Sequence, residues 1–403
     1  MTARRVTRVA VVLASLTMAA TAGAARASAQ TADHLFDDRT LHDLRLYIHE
    51  RDLDALRVHF DASMFFPVDV VWGGVRVTTA GVRSRGLASR NAAKPALLLD
   101  FDRYRSGQTF LGLTELALDN LVTDPSSLRE AAAMALFRGL AQPAPREAFT
   151  RLYINDAYQG VYAIVESIDA AFLARSGYDP ASYLFEKVYV GRFYGEERGS
   201  LKAYAQLFEA RAREVESDSV LYGPIRELFE EVNHGSGGSW RGRVGRYLDL
   251  DQFVTHVAIE MFLAEEDGVL GFAGMANFYM HRSGAGPHRL IPWDKDRTFD
   301  SIAFPIFTRA SENALFKRAM THEDLRARYL DVLEQCARAA ADGGWLETDI
   351  RRLAGIVSPA IREDPVKPYS NEQHDAAVAF LIEFARQRSR SVLEQVAAAR
   401  AAR

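Results

Sequence analysis

The stretch Ala148-Phe149-Thr150-Arg151-Leu152-Tyr153-Ile154-Asn155-Asp156-Ala157-Tyr158-Gln159-Gly160-Val161-Tyr162-Ala163-Ile164-Val165-Glu166 decides how the chain is read. Two apolar runs, Ala148–Ile154 and Gly160–Glu166, are joined by Asn155-Asp156, a pair suited to a tight turn. The segment therefore predicts a β-hairpin. Working outward toward the N-terminus, Val68–Trp72 and Val75–Thr79 flank Gly73-Gly74 and predict a second hairpin. Leu44–His49, Ala96–Phe101 and Leu116–Leu118 add strands, with a helix beginning near Asp52. Asp124-Pro125-Ser126 opens a helix across Leu128–Leu140, the polar residues as caps and Pro125 in its first turn. In the other direction the chain turns helical. Val220–Asn233 and Leu250–Glu266 carry apolar residues at helical spacing on either side of Gly235-Ser236-Gly237-Gly238-Ser239. That glycine-rich stretch has no strand before it and no Gly-Lys-Ser/Thr ending, so it reads as a flexible loop rather than a phosphate loop. Ala276–Arg282 and His288–Trp293 make a third hairpin, and from Ala310 the pattern is helical to the end. Strands first and helices later predict an α+β fold in two lobes, residues 30–190 strand-rich and residues 191–403 mainly helical.

Composition sets the outer limits. Of 403 residues, 48% are hydrophobic and 25% charged, which excludes a disordered chain, a collagen-like repeat and a disulfide-built miniprotein. Residues 1–29 hold Arg4, Arg5, Arg8 and Arg26, the apolar run Val9–Ala20 and a small-x-small site at Ala27-Ser28-Ala29. This pattern predicts an export signal cleaved after Ala29, too short and too interrupted for a membrane anchor. The expected location is periplasmic or extracellular, with no stable membrane insertion after cleavage. The formal charge of −4 for the whole chain becomes 45 basic against 53 acidic residues without that segment, a net of −8. Such a balance argues against nucleic acid as a partner. Cys336 is the only cysteine, so an internal disulfide and a cysteine metal cluster are excluded.

Zinc-helix, nucleophile-elbow and dinucleotide signatures are absent, and His34, His42, His49 and His59 lack ligand spacing. The chemistry concentrates at Ile291-Pro292-Trp293-Asp294-Lys295-Asp296-Arg297, where two carboxylates close a strand. That arrangement suits Mg2+, which takes one or two carboxylates together with phosphate oxygens. It is equally the pattern of a charged turn bridged to Lys295 or Arg297. Upstream, Glu265-Glu266-Asp267-Gly268 places three acids at the end of an apolar helix, where the dipole is already negative. Asn277 starts the strand leading back toward Asp294. Acid, asparagine and acid is the order in which a kinase presents its base and two metal ligands. Six lysines stand against 43 arginines, which singles out Lys94 and Lys187 at strand ends. Each is a compact charge able to pin a phosphate, or simply a solvated strand end.

An ordered series of motifs resembles the spore-coat CotH kinase family. It comprises Val82-Arg83-Ser84-Arg85-Gly86, Lys94 before a Leu-rich strand ending in Asp100-Phe101-Asp102, Gln108–Leu113, Asp124–Glu130, the Asn-x-x-Tyr-x-Gly-x-Tyr hairpin at 155–162, Val165–Asp169, Asn277–Met280 and Ile291–Asp296. The resemblance implies an atypical protein-kinase-like fold and transfer of the ATP γ-phosphate to protein serine or threonine, with ATP and Mg2+ as cofactors. It gives Asp294 and Asn277 to metal binding, with Asp296 as a further metal candidate, and Asp267 the role of catalytic acid–base residue. Lys94 becomes the nucleotide-binding lysine, held by Glu166, while Arg83 and Arg85 assist phosphate binding. The Gly268–Ala276 connection is longer and richer in glycine than the family pattern. A non-catalytic surface or adhesion protein keeping the fold, and a kinase-fold transferase of another group, are the rival readings.

Overall fold

The computed structural model describes residues 30–87, 89–235 and 240–402. The expected export signal lies outside the described residues, as do positions 236–239 of the glycine-rich stretch. Seven strands come first: β1 (Leu41–Ile48), β2 (Phe66–Trp72), β3 (Val75–Ser84), β4 (Leu97–Asp100), β5 (Glu115–Asp119), β6 (Glu147–Ile154) and β7 (Ala157–Val165). They close a barrel in the order β1-β2-β3-β4-β5-β7-β6, antiparallel throughout except where β1 runs parallel to β6. The turns obey local chemistry. Gly73 and Gly74 take φ of +53° and +83°, and Asn155 and Asp156 take +49° and +63°, the left-handed pair that a two-residue hairpin needs. Alternation then fills the barrel with Leu44, Val70, Leu99, Leu116, Leu152 and Ile164.

The other face of β5, β6 and β7 meets helices. Ala117, Phe149, Val161 and Ala163 join a large core shared with the C-terminal half of the chain. Helices α1 (Ala32–Leu35), α2 (Glu50–Val58) and α3 (Arg129–Gly139) are interspersed with the barrel strands, and α4 (Ala170–Arg175) follows them, packing Phe172 and Leu173 against Leu184, Tyr279 and Ile291. Then follow α5 (Leu201–Leu207), α6 (Asp218–His234), α7 (Trp240–Val244), α8 (Leu250–Phe262), α9 (Ala314–Ala319), α10 (Glu323–Ala341), α11 (Trp345–Glu363) and α12 (Asn371–Ala401). A second sheet, β8 (Tyr183–Lys187), β9 (Phe208–Ala210), β10 (Phe278–Arg282) and β11 (Arg289–Pro292), is ordered β11-β10-β8-β9. The chain is α+β, with a strand-rich N-terminal half and a helical C-terminal region. Pairing of β8 with β10 runs across residue 190, so the second sheet draws one strand from before that position.

Two expected boundaries shift. Helix α3 starts at Arg129, four residues after Pro125. Asp124 still caps it, because its carboxylate accepts from the backbone N–H groups of Leu128 and Arg129 at 2.9 Å. Helix α8 ends at Phe262, so Glu265, Glu266 and Asp267 lie beyond the helix and not in its last turn. Its terminal carbonyls at Met261 and Phe262 accept from the buried guanidinium of Arg388 on α12, a cation placed where the dipole is negative.

Candidate functional site

The β10–β11 hairpin pairs Phe278 with Pro292, which brings Asn277 and Trp293 face to face just past the strand ends. The Trp293 N–H donates to the Asn277 carbonyl at 3.2 Å. Asn277 and Asp294 both hold positive φ, +56° and +51°, a conformation that non-glycine residues keep only where surroundings impose it. One of those constraints is Lys295. Its ammonium is fully buried and donates to the Asn277 carbonyl at 2.9 Å and to Glu260 Oε1 at 2.7 Å. Lys295 thus turns inward while Asp294 stays exposed, so the ion pair of this turn reaches α8 rather than its own neighbours. Burial opposes ionisation of Glu260, but Lys295 and His256 override it and hold the carboxyl down at about 2. Gly268 leaves room for that carboxylate. A Cβ there would stand 2.6 Å from the Glu260 carboxylate.

Asp267 is fixed from two sides. Its N–H donates to Glu265 Oε1 at 2.7 Å, and the Asn277 amide donates to its carbonyl at 2.8 Å and its carboxylate at 3.2 Å. Burial raises the Asp267 carboxyl above its ordinary range, against Lys295, the Asn277 hydrogen bond and Arg297. An aspartate biased toward holding a proton, beside an asparagine, is chemically fit to accept one from a hydroxyl.

Carboxylates from the barrel converge on the same junction. Asp119 ends β5, Glu130 lies on α3, Glu147 on β6, and Asp296 accepts from the Thr123 hydroxyl at 2.6 Å. Asp119, Thr123, Glu130, Glu147 and Asp296 line one small cavity. Asp294 faces solvent, yet crowding by the surrounding protein, then Asp296 and Asp119, push its carboxyl up, with Arg85 opposing. Burial first and Asp119 among the charges lift Asp296 to about 6, and burial with Asp119 and Asp294 lifts Glu147 to about 8. Glu130 is raised well above its ordinary range by burial and by Glu147. Asp119 and Glu147 carried no signal in the sequence, and Glu130 stood there only as the last residue of a motif with no role assigned, because each comes from a different element and none has a partner at fixed spacing.

The remaining candidates scatter. Arg85 lies over the Trp293 ring, 5.4 Å from its centre, beside Asp294. Arg83 lies over Phe65 and donates to its neighbour's carbonyl at Ser84, with Glu115 as the nearest acid felt. Lys187 is buried between Phe193 and Phe208 and donates to the Val188 carbonyl at 2.8 Å. Burial presses its ammonium down to about 8. The expected Lys94–Glu166 pair is not formed. Lys94 is bonded to Asp364, just past α11, at 2.7 Å, whereas Glu166 is clasped by Arg146 and Arg175 at 2.8 and 2.7 Å. Glu166 lies past the end of β7, while the lysine's ammonium lies over the Tyr162 ring and its partner Asp364 accepts from the Val161 N–H. The five residue steps from Val161 to Glu166 span about 16 Å along the strand.

Among the described residues, no three His, Cys, Asp or Glu side chains are grouped to hold an ion alone. Asp294 and Asp296 act on one another across this junction, and one or two carboxylates are what a cation with phosphate and water as its other ligands uses. The carboxylate repulsion described above is relieved by any cation placed there.

A family model described as CotH kinase protein matches residues 82–392. Inner spore coat protein H of Bacillus subtilis (strain 168) is 22% identical over 355 residues, covering 86% of this chain and 94% of that protein. The matched span holds the barrel from the last residues of β3 onward, the Asp267–Asn277 pair and the Asp294 turn, and the chain belongs to the CotH kinase protein family.

Proposed function

We propose that this protein is an exported kinase that transfers the γ-phosphate of ATP to serine or threonine hydroxyls of a protein substrate, with Mg2+. The observation that carries the reading is Asp294, solvent-open and ringed by Asp119, Asp296 and Glu130, with the Asp267–Asn277 pair beside it. Asp294, Asp296 and Asn277 would hold Mg2+, which supplies neutralisation of phosphate charge when bound. Lys295, tied to Glu260, fixes the Asn277 backbone and so the direction of its amide. Arg85 lowers the cost of anionic charge at the junction. Asp267 accepts the acceptor hydroxyl's proton on its carboxylate, the oxygen of that hydroxyl forming the new bond to phosphorus as the bond to the β-phosphate oxygen breaks. Positioning and charge neutralisation carry the rate, as phosphoryl transfer requires. Incubation with γ-labelled ATP and a mixed serine-containing acceptor tests this. Asp294→Ala should cut incorporation by roughly 100-fold or more; label transferred at the wild-type rate would overturn the assignment.

One observation favours a second reading, a non-catalytic coat or surface protein that keeps the fold. Lys94 has no exposed side-chain surface and is sealed against Asp364, and the relative's own name is that of a coat protein. Thermal unfolding with millimolar ATP separates the two: an Mg2+-dependent rise in Tm supports the kinase, and none supports the coat protein.

A further inference from the structure

Three element ends meet at the acidic junction: Asp119 closes β5, Glu147 opens β6 and Glu130 stands in the first turn of α3. With Thr123, Asp124 and Asp296 they line a cavity of about 10 Å3, the room of one water-sized sphere. No organic ligand fits such a space. The lining carboxylates differ in whether the protein supplies them with donors. Asp124 is fully engaged: it accepts from the backbone N–H groups of Ser126, Leu128 and Arg129, each at 2.9 Å, and pairs with the Arg129 guanidinium at 3.5 Å. Asp119 accepts from the Leu121 N–H at 2.8 Å, and Asp296 from the Thr123 hydroxyl at 2.6 Å.

The two glutamates are not served in this way. Glu147 is 3% exposed, and its buried Oε1 has no hydrogen-bond partner among the described residues. Arg138 is the cation that acts on it, yet that guanidinium makes no salt bridge with it and donates to the Pro145 carbonyl. The charges acting most on Glu130 are all acidic: Glu147, Asp294, Asp119 and Asp296. A buried carboxylate oxygen without a donor costs on the order of 1–3 kcal/mol or more, and neighbouring acids add to that. Every polar side-chain group on these lining residues is an oxygen, the donor type that hard divalent cations take. Thr123 gives its hydroxyl proton to Asp296, which leaves its oxygen lone pairs for a cation.

We propose that Glu130 and Glu147 are the carboxylate ligands of a divalent cation seated in this cavity, with the Thr123 hydroxyl oxygen and water as further ligands. The ion ties β6 to the first turn of α3. Among the described residues no three acids are grouped to hold an ion, so this is a two-carboxylate site, the kind that Mg2+ or Mn2+ occupies with water. It is separate from the ion that Asp294 would hold with a nucleotide, and it does not depend on phosphate transfer. The probe is Mn2+, titrated into the full protein after EDTA treatment and desalting, with no nucleotide present, and read by loss of the free-ion electron paramagnetic resonance signal. The wild type should bind one Mn2+ per chain. Glu130→Gln and Glu147→Gln should each weaken that binding at least about tenfold, since even the loss of a ligand's support does so, and Asp294→Ala should leave it in place. Glutamine keeps the shape of glutamate and removes a repelling charge, so each variant in EDTA should unfold at a Tm no lower than the wild type's; should Glu147→Gln fail to fold, Glu130→Gln carries the test. No Mn2+ bound by the wild type, binding unchanged in the glutamine variants, or binding lost as fully in Asp294→Ala overturns the site. Phosphate transfer is not read, so a failed kinase reading leaves the result standing.

Discussion

Lys94 and Asp364, 270 positions apart, form an ion pair with Nζ and Oδ2 2.7 Å apart and neither side chain exposed. The aspartate also accepts from the N–H groups of Val161 and Val366, both at 2.9 Å. It reaches the barrel only because residue 160 is glycine: a Cβ there, at φ +92°, would sit 2.3 Å from the carboxylate oxygens. The glycine of the Asn-x-x-Tyr-x-Gly-x-Tyr hairpin therefore answers to a residue in the helical half. Burial lowers the lysine's ammonium below its ordinary value, with Asp364 opposing, so the pair survives on geometry rather than on surplus attraction.

Asp364→Asn should then strand a buried ammonium and cost about 3–5 kcal/mol in urea unfolding. Replacing both partners, Lys94→Met with Asp364→Leu, should recover much of that loss, since no charge is left unpaired. Gly160→Ala should destabilise as Asp364→Asn does. A loss below about 1 kcal/mol for Asp364→Asn would mean that the pair is open to solvent.

Acid stability should carry the mark of Glu265. Burial lifts its carboxyl to about 8, against Lys295, while the unfolded side chain ionises near 4.5. Between those values the folded protein holds a proton that the unfolded chain has lost. Unfolding releases it, and stability falls as pH rises through this window, by up to about 1.4 kcal/mol per pH unit for one proton. Glu265→Gln carries no such proton. Its stability, measured by urea unfolding at several pH values from 5 to 8, should fall less steeply than that of the wild type; parallel slopes would show that Glu265 is ionised in the folded state.

What could be read in the residues and what could not divide by range. The hairpins at Gly73-Gly74 and Asn155-Asp156 were legible because a two-residue turn is decided by the residues in it. Asp294 and Asn277 were legible for the same reason: both lie at the ends of paired strands within one hairpin. Lys295 was quoted as a neighbour but its role was hidden, since its partner Glu260 belongs to the preceding helix. The acidic junction of Asp119, Glu130 and Glu147 was illegible even though Glu130 closes a quoted motif, because barrel closure and the docking of α3 bring the three together. Glu166 misled because the resemblance alone paired it with Lys94, and only the fold shows it past the end of β7, clasped by Arg146 and Arg175.

Arg388 makes the C-terminal helix part of the site. Fully buried, it donates to the carbonyls of Met261, Phe262, Ile302 and Phe304 at 2.6–2.9 Å and forms no salt bridge among the described residues. Burial presses its guanidinium down to about 10. Arg388→Met would remove the donor shared by four carbonyls, two of them, Met261 and Phe262, at the end of α8, just before the segment carrying Asp267. A loss of about 3 kcal/mol or more is expected in urea unfolding. Arg388→Lys should rescue little, because an ammonium cannot reproduce the planar fork. Rescue to within about 1 kcal/mol would show that charge alone, and not the fork, is what the helix end requires.

Glu166 offers the sharpest separation between family resemblance and the geometry of this chain. If it held a nucleotide-binding lysine, removing its charge would weaken ATP binding. Here its two oxygens are engaged by Arg146, Arg175 and the Arg146 N–H, an arrangement that ties β6 to α4. Glu166→Gln should therefore lower stability, by about 1–3 kcal/mol for a buried charge-assisted contact, and leave the Kd for ATP with Mg2+ within about twofold of wild type in calorimetric titration. Asp364→Asn should weaken the same binding several-fold, if Lys94 meets the nucleotide. A tenfold loss of ATP affinity in Glu166→Gln, at a temperature where the variant is folded, would return the glutamate to the nucleotide site and place the Lys94–Asp364 pair in a resting arrangement that ATP must open.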